Sequence, residues 1–275
     1  MTAKTGLVSI IVPCFNKLRF TRMCVNSILK YTSHPYELIV IDNGSKDGTA
    51  KYFKVLKKSV KTGVTQSIKR LAVVISKDNL GVSGALNRGV KISKGDYICY
   101  LNNDVIVTTG WLEGIVRCAQ SDKSIGIVGC STNTITDYAG LFPVYSGYRN
   151  IKEIQRTAVA VSIDKEGVYK KADYVHGLCM FIKREVTKKI GLFDERFYPC
   201  CWEDLDYSYR AAKAGYRLVN AMDVFIFHFC SKSTRSNAFD RNYGGIDKVN
   251  AKAKKIFLEK WGLEGYKFCQ KIHLG

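Results

Sequence analysis

Glu37 to Thr49 reads ELIVIDNGSKDGT, and how this stretch divides decides the fold. ELIVID is a short aliphatic run of strand length, rich in β-branched residues. It closes on the carboxylate of Asp42, passes through a turn containing Gly44, and reaches Asp47. From Asp47 to Lys58 the apolar residues recur at helical spacing. A strand that turns at once into an amphipathic helix is half of a βαβ unit, so the question is whether its neighbours repeat it.

They do. Upstream, LVSIIV (Leu7–Val12) reads as a strand, and Lys17–Tyr31 carries apolar residues at helical spacing. Downstream, RLAVVIS (Arg70–Ser76) is a strand, Val82–Ile92 a helix and DYICYL (Asp96–Leu101) another strand. Alternation of this kind predicts an α/β fold, a Rossmann-like, mostly parallel central sheet flanked by helices. Ligands of such sheets bind beyond the carboxyl ends of the strands. Here those ends carry PCFN, DNGSKDGT, KDNLGVSG and NND, which predicts a site on that rim.

The second half is less regular. Cys130–Lys171 has no clear period and is expected to be a long irregular connection, whose Tyr residues could stack on a sugar ring or pack beneath a loop. Order resumes with YVHGLCMFI (Tyr174–Ile182) as a strand and KREVTKKI (Lys183–Ile190) as a short helix. WEDLDYSYRAAKAG (Trp202–Gly215) reads as a helix with an acidic first turn that suits the dipole and a Gly stop. Arg217–Phe229 supplies further strand, and Asp240–Trp261 reads as a Lys-rich amphipathic helix. The expected organisation is one domain, residues 1–235, with a C-terminal helical extension, residues 236–275, packed on it.

With 46% hydrophobic residues and 4 Pro in 275 residues, the chain can bury a real core. A net charge of +19 favours polyanions, but Lys and Arg are scattered along the chain, the pattern of a solvated basic face. No two of the 10 Cys have the two-residue gap of a zinc knuckle or redox motif. Most sit in apolar runs as small hydrophobes, which suggests a reducing compartment. The first apolar run is too short for a signal peptide, and no later segment approaches a membrane span. The expected location is cytoplasmic, with peripheral contact at the inner face of the membrane left open.

Several polar groups stand out, each with a plainer alternative. Asp42 and the hydroxyl of Ser45 at a strand tip can meet a nucleobase edge or ribose, or can simply make a turn. Gly81 and Gly84 at a helix start leave backbone N–H groups for a diphosphate, although NLGVSGALNRG lacks both the dinucleotide and the P-loop spacings. In YLNNDV (Tyr100–Val105), Asp104 can bind a hard divalent cation but needs a helper, and His228 is a candidate. Glu203, Asp204 and Asp206 crowd three carboxylates beside Trp202. Crowding and burial raise a carboxyl pKa and suit general-base work, while the same groups also complement a helix dipole.

Taken in order from about Leu7 to Ser233, VSIIVPCFN, ELIVIDNGSKDGT, NLGVSGALNRG, YLNNDV, HGLCMFIKREV, FDERFYPCCWEDLDYSYRAAKAGY and the distal His228 resemble the family 2 glycosyltransferases, which have the GT-A fold. The resemblance implies a nucleotide-diphosphate-sugar donor bridged by Mn2+ or Mg2+. Pro13, Asp42, Ser45, Asn79, Gly81, Asn87, Asn102 and Asn103 would lie along the donor, and Asp104 and His228 would take the metal. Asn102 replaces the first acid of the family's D-x-D motif, as in a rhamnosyltransferase-like branch with N-x-D. Asp204 would be the base, with Glu203 orienting acceptor or donor. His176, Gly177 and Trp202 would line the acceptor or sugar pocket.

The implied reaction is inverting, metal-dependent transfer of a hexose or deoxyhexose to a hydroxyl, in surface polysaccharide or glycoconjugate assembly. The acceptor would be a carbohydrate, a lipid-linked sugar or a protein, so a protein-modifying transferase of the same fold is an alternative. A sugar nucleotidyltransferase would want a Gly-rich basic loop after the first strand, where this chain has PCFNKLRF. A basic nucleic-acid-binding protein would account for the charge but not for the WEDLD carboxylates, so no nucleic-acid partner is expected.

Overall fold

A computed structural model describes residues 6–60, 67–133, 150–230 and 237–271. The chain runs β1 (Val8–Cys14), α1 (Leu18–Tyr31), β2 (Tyr36–Asp42), α2 (Thr49–Val60), β3 (Ile68–Ile75), α3 (Gly81–Ile92) and β4 (Tyr97–Leu101). It continues through β5 (Val105–Ile106), α4 (Trp111–Ser121), β6 (Ile125–Thr132), α5 (Ile151–Asp164), β7 (Tyr169–Lys171), β8 (Cys179–Lys183) and α6 (Arg184–Ile190). The last elements are α7 (Glu203–Lys213), β9 (Arg217–His228), α8 (Asn237–Tyr243) and α9 (Ile246–Lys271).

The strands form one sheet in the order β3-β2-β1-β4-β8-β6-β9-β5, with β7 added on β9. The four strands from β3 to β4 are parallel, and β8 enters antiparallel between β4 and β6. Strand periodicity explains the two cores. Ile10, Val12, Leu38, Val40, Cys99 and Leu101 face α1, α2 and α4. Ile11, Ile39, Ile41, Ile98 and Tyr100 face α3, α6 and α7. Both faces are therefore covered, which is why these strands read as continuous apolar runs. Only the strand ends remain to meet a ligand.

The C-terminal segment packs on the outer side of α7. Ala253 and Phe257 of α9 join Trp202, Leu205 and Tyr209 in a third cluster. Lys260 bridges Asp206 and Asp194, each at 2.8 Å, and Trp261 Nε1 donates to Asp206 at 2.9 Å. Among the described residues no helix is long and apolar enough to cross a membrane.

Three local expectations need correction. The connection after Cys130 is not wholly irregular: β6 runs to Thr132, and α5 is a helix whose start Asn150 caps by accepting from the Glu153 N–H. Only Ile154 and Ala158 of that helix are buried, so its pattern lacks a full apolar stripe and hides the helix. Tyr138, Tyr145 and Tyr148 of this segment lie outside the described residues. The strand expected at Tyr174–Ile182 spans only Cys179–Lys183, because Tyr174–Leu178 leaves the ladder to form part of a cavity wall. The Lys-rich tail is interrupted by Gly244 and Gly245 at φ 77° and 90°, and α9 bends at Gly262, where φ is 55°.

Candidate active site

A cavity of about 520 Å³ opens where β1, β2, β3 and β4 end. Pro13 and Phe15 follow β1, Asn43 follows β2, Asn79 and Gly81 precede α3, and Asn102, Asn103 and Asp104 follow β4. His176, Gly177, Glu203, Asp204 and His228 line the same cavity.

Asp104 and His228 meet because β5 and β9 pair antiparallel with Val105 opposite His228. Asp104 Oδ1 lies 3.2 Å from His228 Nε2, and both side chains are largely buried. Burial disfavours the charged imidazole, but the hydrogen bonds it donates to Asp104 and Cys230 outweigh it and raise the His228 pKa to about 9. A cation taking these two atoms must displace that proton. One carboxylate oxygen and one imidazole nitrogen suit Mn2+ or Mg2+ when phosphate oxygens and waters complete the shell. Among the described residues no cluster of three or more His, Cys, Asp or Glu could hold a metal by itself. The pair therefore fits a cation that arrives with a phosphorylated ligand.

The three carboxylates of α7 divide their work. Asp206 turns away from the cavity to Arg210, Lys260 and Trp261. Asp204 faces the cavity, and its Oδ2 accepts the Gly177 N–H at 2.7 Å. Its Oδ1 accepts the Leu205 N–H at 2.8 Å. A Cβ on Gly177 would stand 2.9 Å from Tyr100 Cε1, so this close approach requires glycine. Glu203 is 6% exposed, and its Oε2 has no hydrogen-bond partner among the described residues. Burial, with the neighbouring Asp204 charge and Cys201 behind it, raises the Glu203 pKa well above the usual range. The two adjacent carboxyls are thus differently equipped, one held by N–H donors and one whose charged form burial disfavours.

The donor-side residues are more entangled. Asp42 is buried and lies off the cavity lining; Oδ1 accepts the Ser45 N–H, while Oδ2 has no partner among the described residues. Asn102 accepts from the Tyr100 hydroxyl at 2.7 Å, and Asn103 donates to Thr21 Oγ1 at 2.9 Å. Asn79 Oδ1 accepts from Asn43 Nδ2 and the Gly81 N–H, and its Nδ2 donates to the Tyr243 hydroxyl. His176 pairs with the Tyr174 hydroxyl at 2.7 Å.

Four readings change here. The amide of Asn87 is spent on Phe193 N, Phe193 O and Glu195, so it fastens a loop and lies off the cavity lining. Ser45 also lies off it, with Oγ accepting from the Asn16 N–H. Trp202 packs on Phe257 and donates to Asn250, away from the cavity. The start of α3 is not an open anion site, because Asn79 Oδ1 takes the Gly81 N–H and Pro199 O takes the Val82 N–H.

Asn43, Tyr243, Ile246, Cys200 and Cys201 were not anticipated as lining residues. Asn43 carries a readable signal, being the amide directly after the strand-end carboxylate. Tyr243 and Ile246 carry none, since they reach the cavity only through the fold-back of the C-terminal segment.

Comparison with known proteins agrees with this fold. The family model for glycosyl transferase family 2 matches residues 9–191. Glycosyltransferase AglE of Haloferax volcanii is 26% identical over 267 residues, 96% of this chain and 77% of that protein. The O-antigen biosynthesis protein RfbC of Myxococcus xanthus is 26% identical over 85% of this chain, which spans 18% of RfbC. Among solved structures, a mannosyltransferase from Pyrobaculum calidifontis in complex with GDP-Man and Mn2+ superposes with TM-score 0.62 at 20% identity, covering 91% of this chain and 64% of that one. GalNAc-T7 with UDP, GalNAc and Mn2+ gives TM-score 0.61 at 15% identity, covering 81% and 44%.

Proposed function

The chain belongs to glycosyl transferase family 2 and has its α/β GT-A fold, and from that premise we propose that it moves a hexose or deoxyhexose from a nucleotide-diphosphate donor to an acceptor hydroxyl, with inversion. The observation that carries the reading is the Asp104–His228 pair standing in one cavity with Glu203 and Asp204. AglE and RfbC support a place in glycoconjugate or polysaccharide assembly.

A divalent cation, Mn2+ or Mg2+, held by Asp104 and His228 would offset the negative charge gathering on the leaving diphosphate. The two Mn2+-bound neighbours support this, and Asn102 would stand where the family's first acid does, an N-x-D version of the motif. The orphaned Oδ2 of Asp42, directly before the cavity-lining Asn43, supports a place for it beneath the base or ribose of the donor. Pro13, Asn79, Gly81 and Asn103 would shape the donor end, and His176 and Gly177 the sugar or acceptor end.

Asp204 serves as general base. Its carboxylate faces the cavity, oriented by the Gly177 and Leu205 N–H groups, where it can take a proton from an acceptor hydroxyl entering opposite the leaving phosphate. Glu203, whose charged form burial disfavours, would orient the acceptor or donor beside it. Residues 1–235 form the transferase domain and 236–275 an extension that closes the cavity through Tyr243 and Ile246. The charge of +19 favours an acceptor bearing phosphate, including one presented at a membrane face.

The test is thermal stability with a panel of nucleoside diphosphates and sugar nucleotides, each with Mn2+, Mg2+ or chelator, followed by product anomer analysis. A ligand that binds only the native state raises Tm. One base giving a cation-dependent rise, and an inverted product, is the expected outcome. No rise for any donor in folded protein overturns the transfer reading.

A further inference from the structure

Cys200 and Cys201 are adjacent in sequence, and their sulfurs lie 3.6 Å apart. Both line the cavity, with Trp202 alone between them and Glu203 and Asp204 in the chain. Their backbone is unusual, with Cys201 at φ 77° and Trp202 at φ 68°, torsions that side-chain-bearing residues adopt only where the surroundings enforce them. Cys14 and Cys230 also border the cavity, but Cys14 is buried and Cys230 pairs with His228 Nδ1, while Cys24, Cys99, Cys118 and Cys179 are buried. A cavity-facing vicinal dithiol therefore stands beside the Glu203 and Asp204 carboxyls and has no part in the proposed transfer chemistry.

We infer that Cys200 and Cys201 form a modification site for peroxide-class oxidants, closing to a vicinal disulfide that stops transfer. One thiolate attacks a peroxide oxygen, giving a sulfenic acid and water after protonation. The second thiol then attacks that sulfur and expels a second water. Two thiols and one hydrogen peroxide yield one disulfide and two waters, so electrons balance. The hydrogen bond to Cys201, together with burial, pushes the Cys200 thiol pKa up, which makes Cys201 the attacking sulfur and Cys200 the resolving one.

Closure brings the sulfurs from 3.6 Å to about 2.0 Å. Neighbouring Cα atoms stand about 3.8 Å apart across a trans peptide, short of the roughly 4.4 Å at which the usual disulfide range begins, so the ring is strained and readily reduced. The movement falls on the peptide leading into Glu203. A shift of about 1 Å in a catalytic group can cost about a hundredfold in rate.

The experiment treats the full, reduced, folded chain with stoichiometric hydrogen peroxide, alkylates the remaining thiols and maps the peptides by mass spectrometry. The expected result is loss of two hydrogens on the peptide holding Cys200 and Cys201, reversed by dithiothreitol. In Cys200→Ser the same treatment gives a dimedone-trapped sulfenic acid on Cys201. Two alkylated thiols after oxidation, or a disulfide confined to other cysteines such as Cys130 and Cys179, overturns the proposal.

The mass readout stands without the glycosyltransferase reading, whereas the activity readout rests on it. Oxidised protein should lose about a hundredfold in transfer rate, the cost of a displaced catalytic group, and regain it with dithiothreitol, while peroxide leaves the rate of Cys200→Ser unchanged. A disulfide without any change in rate overturns the inhibitory half of the proposal. Reduced protein that never transfers sugar defeats the function reading and leaves the mapped disulfide intact.

Discussion

Asp104 and His228 are 124 positions apart in the chain, yet Oδ1 and Nε2 lie 3.2 Å apart. Pairing of β5 with β9 sets this distance, and the Phe229 N–H donating to Asp104 O at 2.9 Å holds the backbones in register. The pair is therefore preorganised by the sheet, and its loss should act on cation binding before it acts on folding. Asp104→Ala and His228→Ala are each expected to weaken Mn2+-dependent donor binding by at least ~10–100-fold, the loss seen when even a supporting group of a metal site is removed. Calorimetric titration with donor and Mn2+, beside circular dichroism of the apo proteins, measures this. Unchanged affinity in both variants would remove the pair from the cation site.

Asp204→Asn keeps an oxygen for the Gly177 N–H and removes the basic site. Transfer should fall by about 10²–10⁴ while donor affinity holds and Tm drops only by the lost Leu205 N–H bond. Single-turnover rates with saturating donor report the chemical step. Near-normal rates would show that another group takes the proton.

Asn87→Ala separates a structural amide from a ligand contact. It strips the Phe193 N–H and C=O of their partner, both in a buried setting, at a cost of about 1–3 kcal/mol. Urea denaturation should show that loss, with KM for the donor unchanged at a temperature where the variant is folded. A raised KM with full stability would return Asn87 to the donor site.

Asp194 predicts a pH dependence. The hydrogen bond from Arg196 leads, burial opposes it, and Lys260 adds to the lowering, so the carboxyl pKa lies well below the ordinary range. A depressed folded-state pKa contributes stability that is present above the unfolded value and is lost as pH falls through the folded one. The unfolded value is about 3.9, so the loss of α9 docking should begin below about pH 4. Asp194→Asn should flatten the Tm profile in that acidic window and leave its neutral slope alone. An identical acid limb in both proteins counts against the Asp194 clasp.

Much of the first half was legible because local pattern and global fold agree there. ELIVID and its neighbours are buried on both faces, so each strand is a continuous apolar run, and each turn after it is polar because it borders the cavity rim. The carboxylates of WEDLD were legible as a group, but their separate fates were not. Helix rotation alone could not say that Asp206 would meet Lys260 of α9 while Asp204 met Gly177.

The helix α5 escaped because a segment with only two buried side chains carries no apolar stripe to read. Asn87 misled for the opposite reason, since a polar residue near a strand-end motif looks the same whether it bonds a ligand or Phe193.

By itself, the sequence determined the alternation of strand and helix, the rim on which polar groups gather and the family those motifs belong to, because each depends on residues within one or two turns of chain. Tertiary structure alone decided the meeting of Asp104 with His228, the entry of Tyr243 and Ile246 into the cavity wall and the division of three neighbouring carboxylates. These depend on strand register and on how the C-terminal segment folds back across α7, and long-range packing of that kind leaves no period in the sequence.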